Sequence, residues 1–259
     1  MTTIIARSAE SVHWYGKDGT PQYTVKAKDG SDRPTTLRDA RKLDLVPSVT
    51  TILKVAAKPG LEAWKLEQML LSALTLPRTQ NEPEKDFIAR IVADSKETAK
   101  QAAERGTRIH ESVEKWLSGN HDVEHPVIAK SVEDSINEYF GKQKWITEAS
   151  FANYGYGGKI DIYSKDGEYG VILDVKTKEF GPDDEVKAYD EHLMQLAAYA
   201  HGLDIRFPRC ANVFVSSTSQ GLVDIFEWST ADVNRGVNMF NHLKEFWYLK
   251  NKLGENSAN

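Results

Sequence analysis

The chain predicts an α/β fold in which a central mixed sheet is flanked by helices on both sides and a helical part lies toward the N-terminus. Three observations carry this. Two segments, 84 to 117 and 126 to 140, have helical periodicity, with Ile109, Val113, Trp116 and Leu117 forming one apolar stripe along the first. Three strand-like runs then follow without a helix between them: Trp145 to Tyr156, Lys159 to Tyr163 and Glu168 to Lys176. Beyond them a helix pattern, two strand patterns and a last helix pattern complete the chain.

Taken in order, His13 to about Lys28 alternates aromatic or β-branched residues with polar ones around Lys17-Asp18-Gly19, which predicts a hairpin; Asp29 to Asp44 reads as irregular. Pro47-Ser48-Val49-Thr50 predicts a helix entry with Ser48 or Thr50 as cap, the helix running through Trp64 to about Leu74. Trp64 is expected to pack in the core or against a neighbouring helix, with stacking on an unpaired base as the alternative. Thr75 to Pro83 is a loop, and Gly119 ends the long helix that follows. The three strands form an antiparallel meander. Pro182 followed by Asp183, Asp184 and Glu185 predicts a helix start, since proline suits the first turn and acidic groups suit its dipole; that helix reaches about Ala200, and Gly202 closes it. Val213 to Ser217 and Leu222 to Trp228 are two further strands, and Thr230 caps a last helix to about Leu249.

Composition narrows the function classes. At 259 residues, 40% hydrophobic and 27% charged, the chain can bury a full core, and its apolar stretches are too short to span a bilayer, so no membrane role is expected. Met1 to Arg7 lacks a basic start followed by an apolar segment, which predicts a cytoplasmic address, the host cytoplasm if the protein is viral. The single cysteine, Cys210, excludes an iron–sulfur cluster, a thiolate zinc site and an internal disulfide. Any metal must be held by oxygen or imidazole. No Gly-x-x-x-x-Gly-Lys-Ser/Thr loop is present, which excludes a built-in ATPase and any use of ATP. A net charge of -5 argues against a protein that coats nucleic acid, but carboxylates that hold cations add to that count.

The chemistry-bearing feature is Gly157-Gly158-Lys159-Ile160-Asp161, a turn at Asp166-Gly167, and Val171-Ile172-Leu173-Asp174-Val175-Lys176. If Asp166-Gly167 is a two-residue turn, Asp161 lies diagonal to Asp174 on one face of the sheet, with Lys176 on that face by the period of two. A longer or bulged turn changes that register. Two carboxylates so placed suit a hard divalent cation, and a lysine beside them can position a water or offset developing charge. The ordinary alternative is a strand whose Asp and Lys face solvent. Against it, Val171-Ile172-Leu173 is the continuous apolar run of a strand buried on both faces, where an unpaired charge is costly, and Gly157-Gly158 allows close approach of a backbone or ligand.

Two helices add groups. Gly106, His110 and Glu114 recur at four-residue steps along one face, and Gln195 and Tyr199 share a face with His192. Each set alone is an ordinary helix surface. Arg105, Arg108 and Lys178 are candidate phosphate contacts, with solvent as the alternative.

Read together, Gly106-x-x-x-His110-x-x-x-Glu114, Gly158-x-x-Asp161, Asp174-Val175-Lys176 and Gln195-x-x-x-Tyr199 resemble, in order and spacing, the PD-(D/E)XK nuclease superfamily and its RecB-like exonuclease branch. Pro47 to Leu53 with Trp64 downstream is similar to the N-terminal part of phage-type exonucleases and of the mitochondrial genome maintenance exonuclease. The resemblance covers about Val46 to Tyr199. It implies a restriction-endonuclease-like core and a deoxyribonuclease using one or two Mg²⁺ or Mn²⁺ ions, cutting from DNA ends in phage recombination, repair or genome processing. It makes Asp161, Asp174 and His110 metal ligands together with the carbonyl of Val175, and Lys176 the catalytic lysine. Glu114 and Glu148 are further candidates near the metal, and Gln195 and Tyr199 lie near substrate. Asp174 stands where Glu is commoner, which the superfamily pattern permits.

The implied organisation is a hairpin and irregular extension over 1–45, a nuclease domain over 46–250 and a disordered tail over 251–259. The expected partner is DNA with a free end, with a single-strand-binding or annealing protein as a further candidate. An endonuclease on the same core, or a non-catalytic DNA-end-binding protein, is the alternative. Polarity, strand preference and oligomeric state are not given by these residues.

Overall fold

The computed structural model describes residues 12–254. Met1 to Arg7 and the last five residues of the expected tail lie outside the described residues. The described chain is α/β, with seven helices and a five-stranded mixed sheet among its elements. None of these helices is long and apolar enough to cross a membrane.

The first strands are β1 (Trp14–Tyr15), β2 (Thr24–Lys26) and β3 (Asp32–Pro34), followed by α1 (Leu37–Leu43) and β4 (Val46–Pro47). The hairpin expected around Lys17-Asp18-Gly19 is reduced to a turn and one bridge, Tyr15 to Pro21, because β1 pairs instead with β4. The segment expected to be irregular holds β3, which pairs with β2 from the expected hairpin stretch, and α1, where Thr36 and Asp39 form a reciprocal cap. Ser48 caps α2 (Val49–Leu53), its hydroxyl accepting the Thr51 N–H at 3.0 Å. The expected continuous helix is broken after α2: Pro59 cannot continue it and starts α3 (Pro59–Thr75).

α4 (Glu84–Leu117) and α5 (Pro126–Phe140) have the expected bounds. They precede β5 (Ile146–Asn153), β6 (Tyr156–Asp166) and β7 (Tyr169–Lys178). Then come α6 (Asp190–Gly202), β8 (Phe207–Ser216), β9 (Val223–Trp228) and α7 (Thr230–Asn251), the last capped by Ser229 rather than Thr230. α6 starts later than Pro182 predicts, because the Asp184 side chain turns back to accept the Gly181 N–H at 2.6 Å and makes a local turn. α7 ends at Asn251 with Lys252 in the left-handed region, so the first residues of the expected tail are a helix end.

The sheet order is β5-β6-β7-β8-β9, antiparallel except for β7 and β8, which run parallel across the α6 crossover. One face packs α2, α6 and α7 around Ile52, Leu196 and Phe240; the other packs α4 and α5 around Ile109, Val132 and Ile136. β7 lies at the centre, buried on both faces as its Val171-Ile172-Leu173 run requires.

Candidate active site

The β6–β7 turn is Gly167-Glu168, one position later than expected. Asp166 pairs with Tyr169, and only Gly167 of the two turn residues has positive φ (58°), the pattern of a type II′ turn. The register then runs to Ile162 opposite Leu173, which sets Asp161 directly opposite Asp174, where a diagonal relation was expected.

At that point the ladder ends and β6 leaves β7. Ile160 packs in the core on the α6 side while Ile162 packs on the α4 side, so the period of two fails at Asp161. Opposite it on β5, Glu148 has a φ of 58°. The fork frees both backbone groups of Val175 from strand pairing. Its N–H donates to Asp161 Oδ2 at 2.9 Å, and its carbonyl accepts from His110 Nε2 at 2.6 Å. His110 Nδ1 lies 3.5 Å from the same Asp161 oxygen. Two aspartates thus meet at the end of a shared strand pair, although alternation does not put them on one face.

Asp174 and Lys176 do share a face, the one under α6. Asp174 is 1% exposed and its carboxylate is held by three donors: Lys176 Nζ (2.7 Å) and Gln195 Nε2 (2.8 Å) to Oδ1, and Asn212 Nδ2 (2.9 Å) to Oδ2. Gln195 Nε2 also reaches the Tyr199 hydroxyl at 3.1 Å, so the two α6 residues join the cluster as a pair.

Burial pushes the Asp161 carboxyl above the usual range, as does Asp174, against the pull of His110, Lys176 and the Val175 N–H. Burial opposes the charge on Lys176, but the carboxylates of Asp174 and Asp161 outweigh it and hold the ammonium above its ordinary pKa. Lys176 is therefore a fixed cation at neutral pH. Burial also raises the Tyr199 phenol, which stays protonated.

The glycine pair before Asp161 makes room for the protein's own rings. A Cβ on Gly158 would stand 2.6 Å from the Tyr199 ring, and one on Gly157 would stand 2.7 Å from Tyr15. Gly106 is the bare patch of α4 over β7, its nearest neighbour being Thr177 Oγ1 at 3.9 Å from a built Cβ.

A cleft of about 1230 Å³ opens beside the cluster, reaching Lys176 and Gln195 and walled by α3, α4 and the start of α6. Arg105 and Arg108 line it: Arg105 donates to the Ser217 carbonyl, and Arg108 lies 3.2 Å from Glu124. Lys178 lines it too, donating to the Lys187 carbonyl at 2.5 Å with its ammonium over the Tyr189 ring; burial lowers its pKa. Trp64, expected in the core or against a helix, lines the cleft from α3, and Tyr189, 39% exposed, lines it from just before α6.

Two candidates stay outside the cluster. Glu148 pairs with Lys159, and the Glu114 side chain makes no hydrogen bond or ion pair among the described residues. One member was missed: Asn212, fully buried on β8, which also accepts from Trp228 Nε1 at 2.9 Å. Its signal is an amide inside Ala211-Asn212-Val213-Phe214, an otherwise apolar strand.

Among the described residues, no group of three or more His, Cys, Asp or Glu side chains gathers around one point. Two neighbouring sets stand there instead, His110 with Asp161 and the Val175 carbonyl, and Asp174 with Lys176, and they act on each other electrostatically; together they offer two carboxylates, one imidazole and one peptide carbonyl. That set of oxygen and nitrogen donors fits a hard divalent cation. A carboxylate has about four lone-pair sites, and three donors leave Asp174 with capacity for a further partner.

No protein-family model matches the chain, and no curated protein matches it. Among solved structures it is similar to one described as the crystal structure of SSO0001, at 14% identity over 71% of this chain and 86% of that one, with a TM-score of 0.29. A likeness of that degree carries no argument about fold or activity.

Proposed function

We propose that the chain is a divalent-metal-dependent deoxyribonuclease that hydrolyses phosphodiester bonds from DNA ends, built on a core of the PD-(D/E)XK type. The observation that carries the reading is that Asp161, bound to His110 and Val175 at the fork between β6 and β7, lies within electrostatic reach of the Asp174–Lys176 pair. Lys, carboxylates and imidazole of this kind serve phosphoryl chemistry, and a cleft with five cations and three carboxylates on its walls suits an anionic chain.

His110, Asp161, Asp174 and the Val175 carbonyl would hold Mg²⁺ or Mn²⁺. Such an ion, when bound, polarises a phosphate oxygen and acidifies a water. The chain's own groups do the rest. Lys176, kept cationic by Asp174, faces the cleft and offsets charge developing on a phosphate oxygen. Gln195 fixes Asp174 and keeps Tyr199 in place behind it. Arg105, Arg108 and Lys178 hold backbone phosphates along the cleft. The partner is DNA with a free end.

Digestion of end-labelled linear DNA, with closed circular DNA as control and Mg²⁺ or Mn²⁺ against EDTA, tests the proposal. Linear DNA is shortened and the circle spared; Asp174→Ala removes the activity. Cutting of the circle would replace the end-dependent reading by an endonuclease on the same residues. Equal digestion by Asp174→Ala, or none by the wild type with either ion, would overturn it.

A further inference from the structure

The leucines of α3 face away from the element it packs on. Among the described residues that element is α4, and the least exposed positions of α3, Trp64, Gln68 and Ser72, form a stripe at four-residue steps in which only Trp64 is apolar. Leu66, Leu70 and Leu74 stand about 180° around the helix from that stripe, 58%, 55% and 83% exposed. Met69 and Leu71 flank them and are exposed as well.

This is not an average surface. Of the 18 large apolar side chains exposed among the described residues, six lie on this 17-residue helix. Singly exposed leucines are ordinary, but a contiguous apolar patch beyond a few hundred Å² is rare on a monomer and marks a contact with another molecule. A helix that is apolar over most of its circumference is one that is covered.

The pattern of the stripe selects its cover. Leu66, Leu70 and Leu74 form one ridge at four-residue steps, and such a ridge packs into the grooves beside the same ridge on a second helix, the commonest class of helix packing. The ridge is symmetric about Leu70, with Leu66 and Leu74 one turn to either side. A two-fold axis at that point therefore sets Leu70 against Leu70 and Leu66 against Leu74. Charge fixes the orientation. Glu62, Lys65 and Glu67 leave the first half of α3 net acidic, whereas Gln68 to Asn81 contains no carboxylate and carries Arg78. Antiparallel copies lay the acidic half of one helix over the neutral and basic half of the other; parallel copies would set like charges side by side. A helix of this length is about 25 Å long and roughly 10–12 Å wide with its side chains. Two such faces bury an area at the low end for specific interfaces, below about 1,200 Å², which corresponds to a micromolar pairing.

We propose that α3 is a homodimer contact: two copies of this chain pair through antiparallel α3 helices about a two-fold axis at Leu70. Leu61 and Trp64 of the same helix line the cleft, so the pairing also holds one cleft wall in each copy. It does not depend on the nuclease reading.

Sedimentation equilibrium of the full chain over about 1–100 μM tests the proposal. A monomer–dimer equilibrium with a micromolar dissociation constant is expected. Leu70→Glu changes an exposed position and places two carboxylates on the axis, weakening the dimer at least about 100-fold; Leu249→Glu, at an exposed site on α7, leaves it unchanged. Circular dichroism checks that both variants fold. Leu70→Cys, oxidised mildly and run on a non-reducing gel, gives a disulfide-linked dimer, because that position meets its own copy; the buried Cys210 gives none in the wild type. A dimer untouched by Leu70→Glu, or a Leu70→Cys chain that links no faster than a Leu249→Cys chain, would overturn the proposal. So would a wild-type chain that stays monomeric over the whole range, which would leave the stripe to a different partner.

Discussion

Asn212 on β8 donates its side-chain amide to Asp174 on β7 at 2.9 Å, inside a sheet where both residues are essentially without solvent contact. The two stand side by side in the parallel register, and Asn212 in turn accepts from Trp228 on β9. The carboxylate is thus tied across three strands.

Asn212→Ala strips one Asp174 oxygen and the Trp228 N–H of their partners at once. Leaving buried groups unsatisfied costs about 1–3 kcal/mol, measured by urea denaturation. Against Asp174→Asn, a double-mutant cycle gives a coupling energy of roughly 0.5–3 kcal/mol. Strict additivity would show that the bond contributes nothing.

Gly158→Ala places a methyl 2.6 Å from the Tyr199 ring and 3.0 Å from that of Phe151. Tyr199 must move, and with it Gln195 and the hold on Asp174. We expect a loss of about 1–3 kcal/mol by thermal denaturation together with reduced activity; wild-type stability would mean the ring has slack.

Gly106→Ala behaves oppositely. The site is in the body of α4, its added methyl meets only Thr177 at van der Waals distance, and alanine in a helix is worth about 0.5–1 kcal/mol over glycine. Stability rises by about that amount. A drop in melting temperature would contradict the spacing between α4 and β7.

His192, on the cleft wall, is held neutral: burial first, then Lys176, lowers its pKa to about 4. The folded state therefore binds this proton more weakly than the unfolded chain, whose histidine titrates near 6.5. Stability from this residue is fully present above about pH 6.5 and falls as pH drops from there toward 4, by on the order of 2–3 kcal/mol. His192→Gln flattens that part of the stability curve; an unchanged slope between those pH values would show the residue is not responsible.

How much of this was legible depended on where the determinants lay. α4 and α5 could be bounded from the sequence because their stops are local: Pro126 opens one helix and Gly119 follows the other. The hairpin and the pairing of Asp161 with Asp174 were legible in kind, but not in register, since one residue of difference in the turn resets every partner. Nothing in the Asp161 segment reveals that β6 leaves β7 there. That fork depends on Ser48 bridging Gly157 and on Tyr15 filling the space over it, contacts more than 100 residues apart in the chain. Asn212 was missed for a related reason, since an amide in an apolar strand announces a buried bond without naming its partner. Trp64 was expected in the core or against a helix, and the start of a separate α3 at Pro59, which the sequence reading ran together with α2, precedes its place on the cleft wall.

The parallel pairing of β7 with β8 has a consequence for assembly. Adjacent antiparallel strands can zip from a tight turn, but β8 reaches β7 only after the whole of α6 has been laid over the sheet. Until then Asp174 lacks both its amide donors, Gln195 from the crossing helix and Asn212 from the arriving strand. The docking of β8 is therefore the event that completes the cluster, and a chain halted short of residue 212 carries the acidic pair without the framework that fixes it.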